Sequence, residues 1–181
     1  MAKFGFKEIS PNNWLEPDTA LRGFVRMSSD GQTQTLTSDD YLRLILNPKL
    51  IEAVPTDVQA LFEVARGVMV YGYFFYPLYT LAVEQLFRVA DAAVLHKCKA
   101  SGAPNSTKTF EKRIKWLVDK GIIPHSELTR WDATRKLRNM TSHPERQSIL
   151  MPGNAIGILE VTVRQINTLF SRPNNDLLPP A

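Results

Sequence analysis

Pro55-Thr56-Asp57-Val58-Gln59-Ala60-Leu61-Phe62-Glu63-Val64-Ala65-Arg66-Gly67-Val68-Met69 is the stretch whose reading decides the fold. Val58, Leu61, Phe62, Ala65, Val68 and Met69 recur at threes and fours, the spacing that puts apolar side chains on one face of a helix. Thr56 is a suitable N-cap. The pattern predicts a helix from there to about Tyr76. Pro77 either opens a second helix in its first turn or kinks one long helix. Leu78, Leu81, Ala82, Leu86, Val89, Ala90 and Val94 carry the stripe on, ending near Lys97 or Lys99.

Further along, Ser101-Gly102-Ala103-Pro104-Asn105 reads as a connector. Ser106 or Thr107 is expected to open a third helix with Phe110, Ile114, Trp116, Leu117 and Val118, and Gly121 to close it. Pro124 blocks continuation, and Ser126 starts a fourth helix holding Leu128, Trp131, Leu137 and Met140. After His143-Pro144 and Met151-Pro152-Gly153, Asn154 can cap a last helix. Its stripe is Ile156, Leu159, Val163, Ile166 and Phe170. Short links between amphipathic helices predict an all-α, antiparallel four- or five-helix bundle over residues 55–171. Residues 172–181 read as a Pro-rich tail.

Residues 1–54 read as a small N-terminal appendage packed on that bundle, with too few apolar anchors to be stable alone. Ser28-Ser29-Asp30-Gly31 is a turn signal, and its flanks Phe24–Met27 and Thr33–Leu36 can pair as a β-hairpin. Thr37 or Ser38 can cap a helix from Asp39 to Leu46 that Asn47-Pro48 stops.

The composition is that of a globular chain: 181 residues, 44% of them hydrophobic. A single Cys98 leaves no internal disulfide framework, and the opening is too polar for an export signal, so a cytoplasmic location is expected. Gly67 to Val83 lacks charge but is short for a span and interrupted by Pro77. It reads as core helix, with no membrane partner expected. Residues 97–146 carry twelve Lys or Arg against five Asp or Glu, an excess of +7, and the net charge of +4 leaves the remainder at −3. Such a patch can attract a polyanion, although a solvated face is the commoner reason for one.

Chemistry concentrates in Arg138-Asn139-Met140-Thr141-Ser142-His143. Arg can hold a phosphate bidentately, and His can move a proton near neutral pH. Together with a small polar residue they suffice for metal-free cleavage of RNA. Five helical residues turn through about 500°, so Arg138 and His143 sit about 140° apart on an ideal helix. Pro144 biases His143 away from helical angles and can turn it back beside Arg138. The plainer alternative is that Arg138 pairs with a carboxylate and His143 merely ends the helix.

Arg-Asn-x-x-x-His at the end of a bundle helix resembles the HEPN superfamily, whose signature is an Arg followed closely by a His, often with a polar residue after the Arg. With Leu137 before it and Pro144 after it, it is also similar to small bacterial HEPN-like proteins near the domain of unknown function 4145. The resemblance covers roughly Thr56 to Phe170. It implies a homodimer that brings two motifs to a shared cleft, and a metal-independent endoribonuclease of toxin or phage-defence type acting on RNA without a cofactor. An antitoxin or regulatory protein is an expected partner. Carried over, Arg138 is the phosphate clamp, His143 the general acid/base and Asn139 the polar helper. Glu84, alone in an apolar segment, matches the acidic residue of an earlier helix and would partner Arg138. Its other reading is a surface pair with Arg88. The alternative function is a non-catalytic HEPN-like module that binds nucleotide, RNA or protein.

His96, Cys98 and His125 lack the spacing of a metal site. Tyr71, Tyr73, Phe74, Phe75, Tyr76 and Tyr79 read as core or interface, and Trp116 and Trp131 as packing residues.

Overall fold

The computed structural model describes residues 5–21, 24–27, 30–141 and 149–171, with the backbone alone for Arg26 and for residues 137–141. In chain order the elements are β1 (Val25–Met27), β2 (Thr33–Thr35), α1 (Ser38–Leu46), α2 (Thr56–Tyr71), α3 (Leu78–Ala100), α4 (Phe110–Asp119), α5 (Leu128–Thr141) and α6 (Pro152–Ser171). Single 3-10 turns lie at Thr19–Leu21 and His125–Glu127. The protein is an all-α bundle.

The predicted hairpin forms as an antiparallel pair with Val25 opposite Thr35 and Met27 opposite Thr33. Gly31, at φ +79°, supplies the left-handed residue of its turn. Thr37 caps α1 through a reciprocal box. Its hydroxyl accepts from the Asp40 N–H at 3.2 Å, and its own N–H donates to the Asp40 carboxylate at 3.0 Å.

Four helices differ from expectation at their ends. First, α2 starts with Thr56 already helical and Pro55 at the cap, without a side-chain cap bond. It stops at Tyr71 rather than near Tyr76, where Gly72, still in helical backbone (φ −55°, ψ −24°), packs directly against Tyr79. A Cβ at Gly72 would lie 2.9 Å from both the Met69 carbonyl and the Tyr79 ring. Pro77 is then the cap of α3, so the two stripes belong to two helices. Second, α4 begins at Phe110 and not beside Thr107. The Thr107 hydroxyl closes a turn onto the Pro104 carbonyl at 2.6 Å, and extended Thr109 caps by accepting from the Lys112 N–H at 3.3 Å. Third, Ser126 lies in a 3-10 turn, and α5 proper begins at Leu128. Fourth, Asn154 sits inside α6 instead of capping it. Pro152 occupies the first turn, where its missing N–H costs nothing, and the Ala155 N–H donates to the Met151 carbonyl at 3.1 Å.

Two apolar clusters hold the bundle. The larger joins Val58, Phe62, Ala65 and Met69 of α2 to Tyr79, Val83, Leu86 and Val89 of α3 and to Ala155, Leu159 and Ile166 of α6. Leu21, Tyr41, Ile45 and Val54 enter the same cluster, so the N-terminal residues share the core of the bundle. Each fully buried side chain of this size contributes about 1.5–3 kcal/mol. The smaller cluster gathers Ala90, Val94 and Cys98 of α3 with Phe110, Ile114, Leu117, Ile123, Trp131 and Leu169. No described helix is long and apolar enough to cross a membrane.

Candidate functional site

Helix direction follows from a few long-range contacts. The Leu150 N–H donates to the Thr80 hydroxyl at 3.0 Å, and the Lys97 ammonium lies 5.7 Å from the Phe170 ring centre. The start of α6 therefore lies by the start of α3 and its end by the end of α3, so the two run parallel. Trp131 shares a cluster with Leu169, and the Thr134 hydroxyl lies 3.3 Å from the Gln165 amide oxygen. Advancing along α5 thus means going back along α6, and α5 is antiparallel to both.

This direction orders the candidate residues. Trp131 and Thr134 are buried, and residue 138 comes one turn after Thr134 and two after Trp131. The backbone of α5 thus places position 138 on its inward stripe, towards the end of the bundle where the chain returns at Leu150. Glu84 lies one turn beyond Thr80 on α3 and shares the face that receives Leu150. Positions 84 and 138 therefore approach the same end of the bundle from two packed helices. Asn139 follows on α5. The side chains of Arg138 and Asn139, and the whole of His143, lie outside the described residues.

Glu84 is half-buried, less enclosed than an acid in an apolar segment was expected to be. Among the described residues no ion pair joins it to Arg88, so its carboxylate is not committed to that neighbour.

The outer face of α5 behaves differently. Asp132 receives Arg135 at 2.7 Å and Lys136 at 3.1 Å. The Arg135 guanidinium, then the Lys136 ammonium, hold its carboxyl below the usual range. Arg135 also reaches Glu111 at 3.8 Å, and Arg130 pairs with Glu127 at 2.8 Å. These acids are already set against the bases in the excess of +7, so the pairs order the face without lowering it. Arg113 meets Asp91 at 2.7 Å and donates to the Thr107 and Lys108 carbonyls, which makes it a structural strut. Lys108, Lys112, Lys115 and Lys120 are exposed. Between α4 and α5 runs a groove of about 590 Å³ floored by Ile114, Val118, Leu128 and Trp131 and edged by Lys115 and Lys136.

The remaining candidates take structural places. Cys98 is buried, its thiol is pushed up to about 11 by that burial, and its Sγ lies 3.8 Å from the Arg113 carbonyl. At neutral pH it is a thiol without nucleophilic character. His96 Nε2 lies 2.6 Å from Asp57 and clips the end of α3 to the start of α2. Among the described residues no group of His, Cys, Asp and Glu is arranged to share a metal ion. Tyr76 and Tyr79 are buried, while Tyr71 lies open at 60% exposure.

Sequence reasoning missed Lys7 and Asp18. Both are buried: Lys7 braces the N-terminal segment from within, and Asp18 fastens that segment to the turn between α2 and α3. Asp18 accepts from the N–H groups of Lys7 (3.1 Å), Ala20 (3.0 Å) and Tyr76 (2.9 Å). The Lys7 ammonium donates to the carbonyls of Asn13 (2.8 Å), Trp14 (3.4 Å) and Glu16 (2.7 Å). Pro11, Asn12, Asn13 and Pro17 break up this opening, but nothing in that pattern points to burial of Lys7 or Asp18.

Fold and site together define an all-α bundle with an Arg-Asn pair near the end of its penultimate helix and a half-buried glutamate on a neighbouring one. Comparison with protein-family models, with curated proteins and with solved structures returned no match.

Proposed function

We propose that this protein is a HEPN-like, metal-independent endoribonuclease of toxin or phage-defence type that works as a homodimer in the cytoplasm. Arg138 clamps the scissile phosphate through its planar fork, and Asn139 offers a further polar contact. The RNA 2′-hydroxyl attacks the adjacent phosphorus, the bond to the 5′ oxygen breaks, and His143 moves the proton. The products are a 2′,3′-cyclic phosphate and a 5′-hydroxyl. Glu84 orients the Arg138 guanidinium from the facing helix.

The observation that carries this reading is the shared placement of positions 84 and 138. One lies on the α3 face that receives Leu150, the other on the inward stripe of α5. Neither Arg88 nor any other described cation is paired with Glu84 within 4.0 Å, which leaves its carboxylate open to this role.

The test incubates purified protein and its His143→Ala variant with mixed RNAs in excess chelator and reads fragment lengths and end groups. Cleavage by the parent alone, leaving cyclic-phosphate ends, is the expected result. Equal cleavage by both proteins overturns the assignment of His143. No cleavage of diverse RNAs by either favours the alternative, a helical module that binds nucleotide, RNA or a regulatory protein without cutting.

A further inference from the structure

The groove of about 590 Å³ between α4 and α5 is apolar at its base. Ile114 and Trp131 form the buried floor. Val118, near the end of α4, and Leu128, at the start of α5, are half-buried and still meet water. Three carboxylates balance three Lys or Arg side chains around it, and Asp132 already holds Arg135 and Lys136. Charge therefore does not select what lies there. An apolar segment with few charges is the fitting occupant, since a charged one would lose its hydration over such a floor.

Helix direction brings such a segment to the groove. The Thr134 hydroxyl of α5 lies 3.3 Å from the Gln165 amide oxygen of α6, and the two helices run antiparallel. Six residues back along α5 is Leu128, and six residues on along α6 is Ser171. With the same rise per residue in both helices, these two are level. Trp131 and Leu169, between those levels, share one apolar cluster. The chain thus leaves α6, at exposed Ser171, level with the Leu128 end of the groove. Ten residues follow, Arg172-Pro173-Asn174-Asn175-Asp176-Leu177-Leu178-Pro179-Pro180-Ala181, and they lie outside the described residues. Leu177 and Leu178 are their large apolar side chains, and Asp176 is the one charged side chain after Arg172. From Ser171 the chain can reach up to about 20 Å by Leu177. The prolines narrow the backbone freedom that docking removes, and so short a tether holds the leucines at an effective concentration on the order of millimolar.

We propose that Leu177 and Leu178 dock in the α4–α5 groove of their own chain, against Val118 and Leu128, as a strap over its apolar floor. An apolar peptide of another protein reaches the groove only by displacing the strap. The contact lies at the opposite end of α5 from Arg138 and holds whether or not the protein cuts RNA.

A labelled peptide with the sequence of residues 172–181 tests it by fluorescence anisotropy against three forms of the full chain. These are the parent, the double variant Leu177→Asp with Leu178→Asp, and that double variant with Lys115→Cys carrying a bulky maleimide adduct. The substituted leucines follow the last helix and Lys115 is exposed, so circular dichroism should show the fold retained. Cys98 is buried and escapes the reagent. The peptide is expected to bind the double variant, whose own strap cannot seat two carboxylates over an apolar floor. It should bind the parent at least about tenfold more weakly, because the parent's strap competes within the chain. The adduct, at the edge of the groove, should abolish binding. A peptide that fails to bind the double variant overturns the proposal. Equal binding to the parent and the double variant overturns it too, since the groove of the full chain would then stand open. Binding that the adduct leaves unchanged places the seat elsewhere and rejects the groove.

Discussion

Lys7 with Asp18, and Asp132 with Arg135 and Lys136, are built from the same chemistry and do opposite things. The first group is buried, and its bonds run to backbone groups between 2.7 and 3.4 Å away. The second lies on the outer face of α5 as a short ladder of ion pairs, screened by water. Desolvation makes the difference. A buried carboxylate bonded to three N–H groups cannot be removed without stranding them, whereas a ladder still in contact with water loses little when one rung goes. Groups fully occupied by the backbone are scaffold, and groups with spare bonding capacity are the ones available to a ligand.

The largest effect that could break this contrast belongs to Asp18. Asp18→Ala strands the N–H groups of Lys7, Ala20 and Tyr76, and should cost about 3 kcal/mol or more in urea unfolding. A loss under about 1 kcal/mol would show that water replaces the carboxylate freely, and the contrast would fail.

Next comes the turn that this cluster braces. Gly72→Ala forces a methyl against the Met69 carbonyl and the Tyr79 ring, each 2.9 Å away, and should cost about 1–3 kcal/mol by the same measurement.

Asp132→Asn sets the small end of the scale. Its unfolding midpoint at neutral pH should sit close to that of the parent. The pairs lower the folded pKa of Asp132 beneath its ordinary 3.8. Their stabilisation is therefore present above that ordinary value and fades as pH falls through the lowered folded one. An acid titration of stability should show the parent and Asp132→Asn converging at low pH. Divergence there would give the ladder a different origin.

Much of the architecture was legible because it is written in local spacing. The stripes of α2, α3 and α6, the hairpin around Gly31 and the Thr37 cap each depend on residues within a few turns of one another. The end of α2 was not, because Tyr79 meets Gly72 only once the chain has doubled back. Helix caps at Thr109 and Met151 were misjudged where several polar or Pro residues compete and only the folded turn selects one. Lys7 and Asp18 escaped notice for a stronger reason. The acceptor of the Tyr76 N–H is fifty-eight residues away, and nothing in the local pattern of a Lys or an Asp announces burial. Of the candidate site, positions 138 and 139 fall on a helix that the sequence foresaw. Glu84 falls on another, while His143 lies outside the described residues.

Arg138 puts the contrast to its most direct test, since the sequence allows it to be either a phosphate clamp or a strut. The deciding measurement follows Arg138→Ala in two assays at once, urea unfolding and RNA cleavage in excess chelator. The account predicts an unfolding free energy within about 1 kcal/mol of the parent, as for a residue outside the scaffold, together with loss of cleavage. A large loss of stability with the cleavage rate unchanged would make Arg138 a strut like Lys7 and contradict the account.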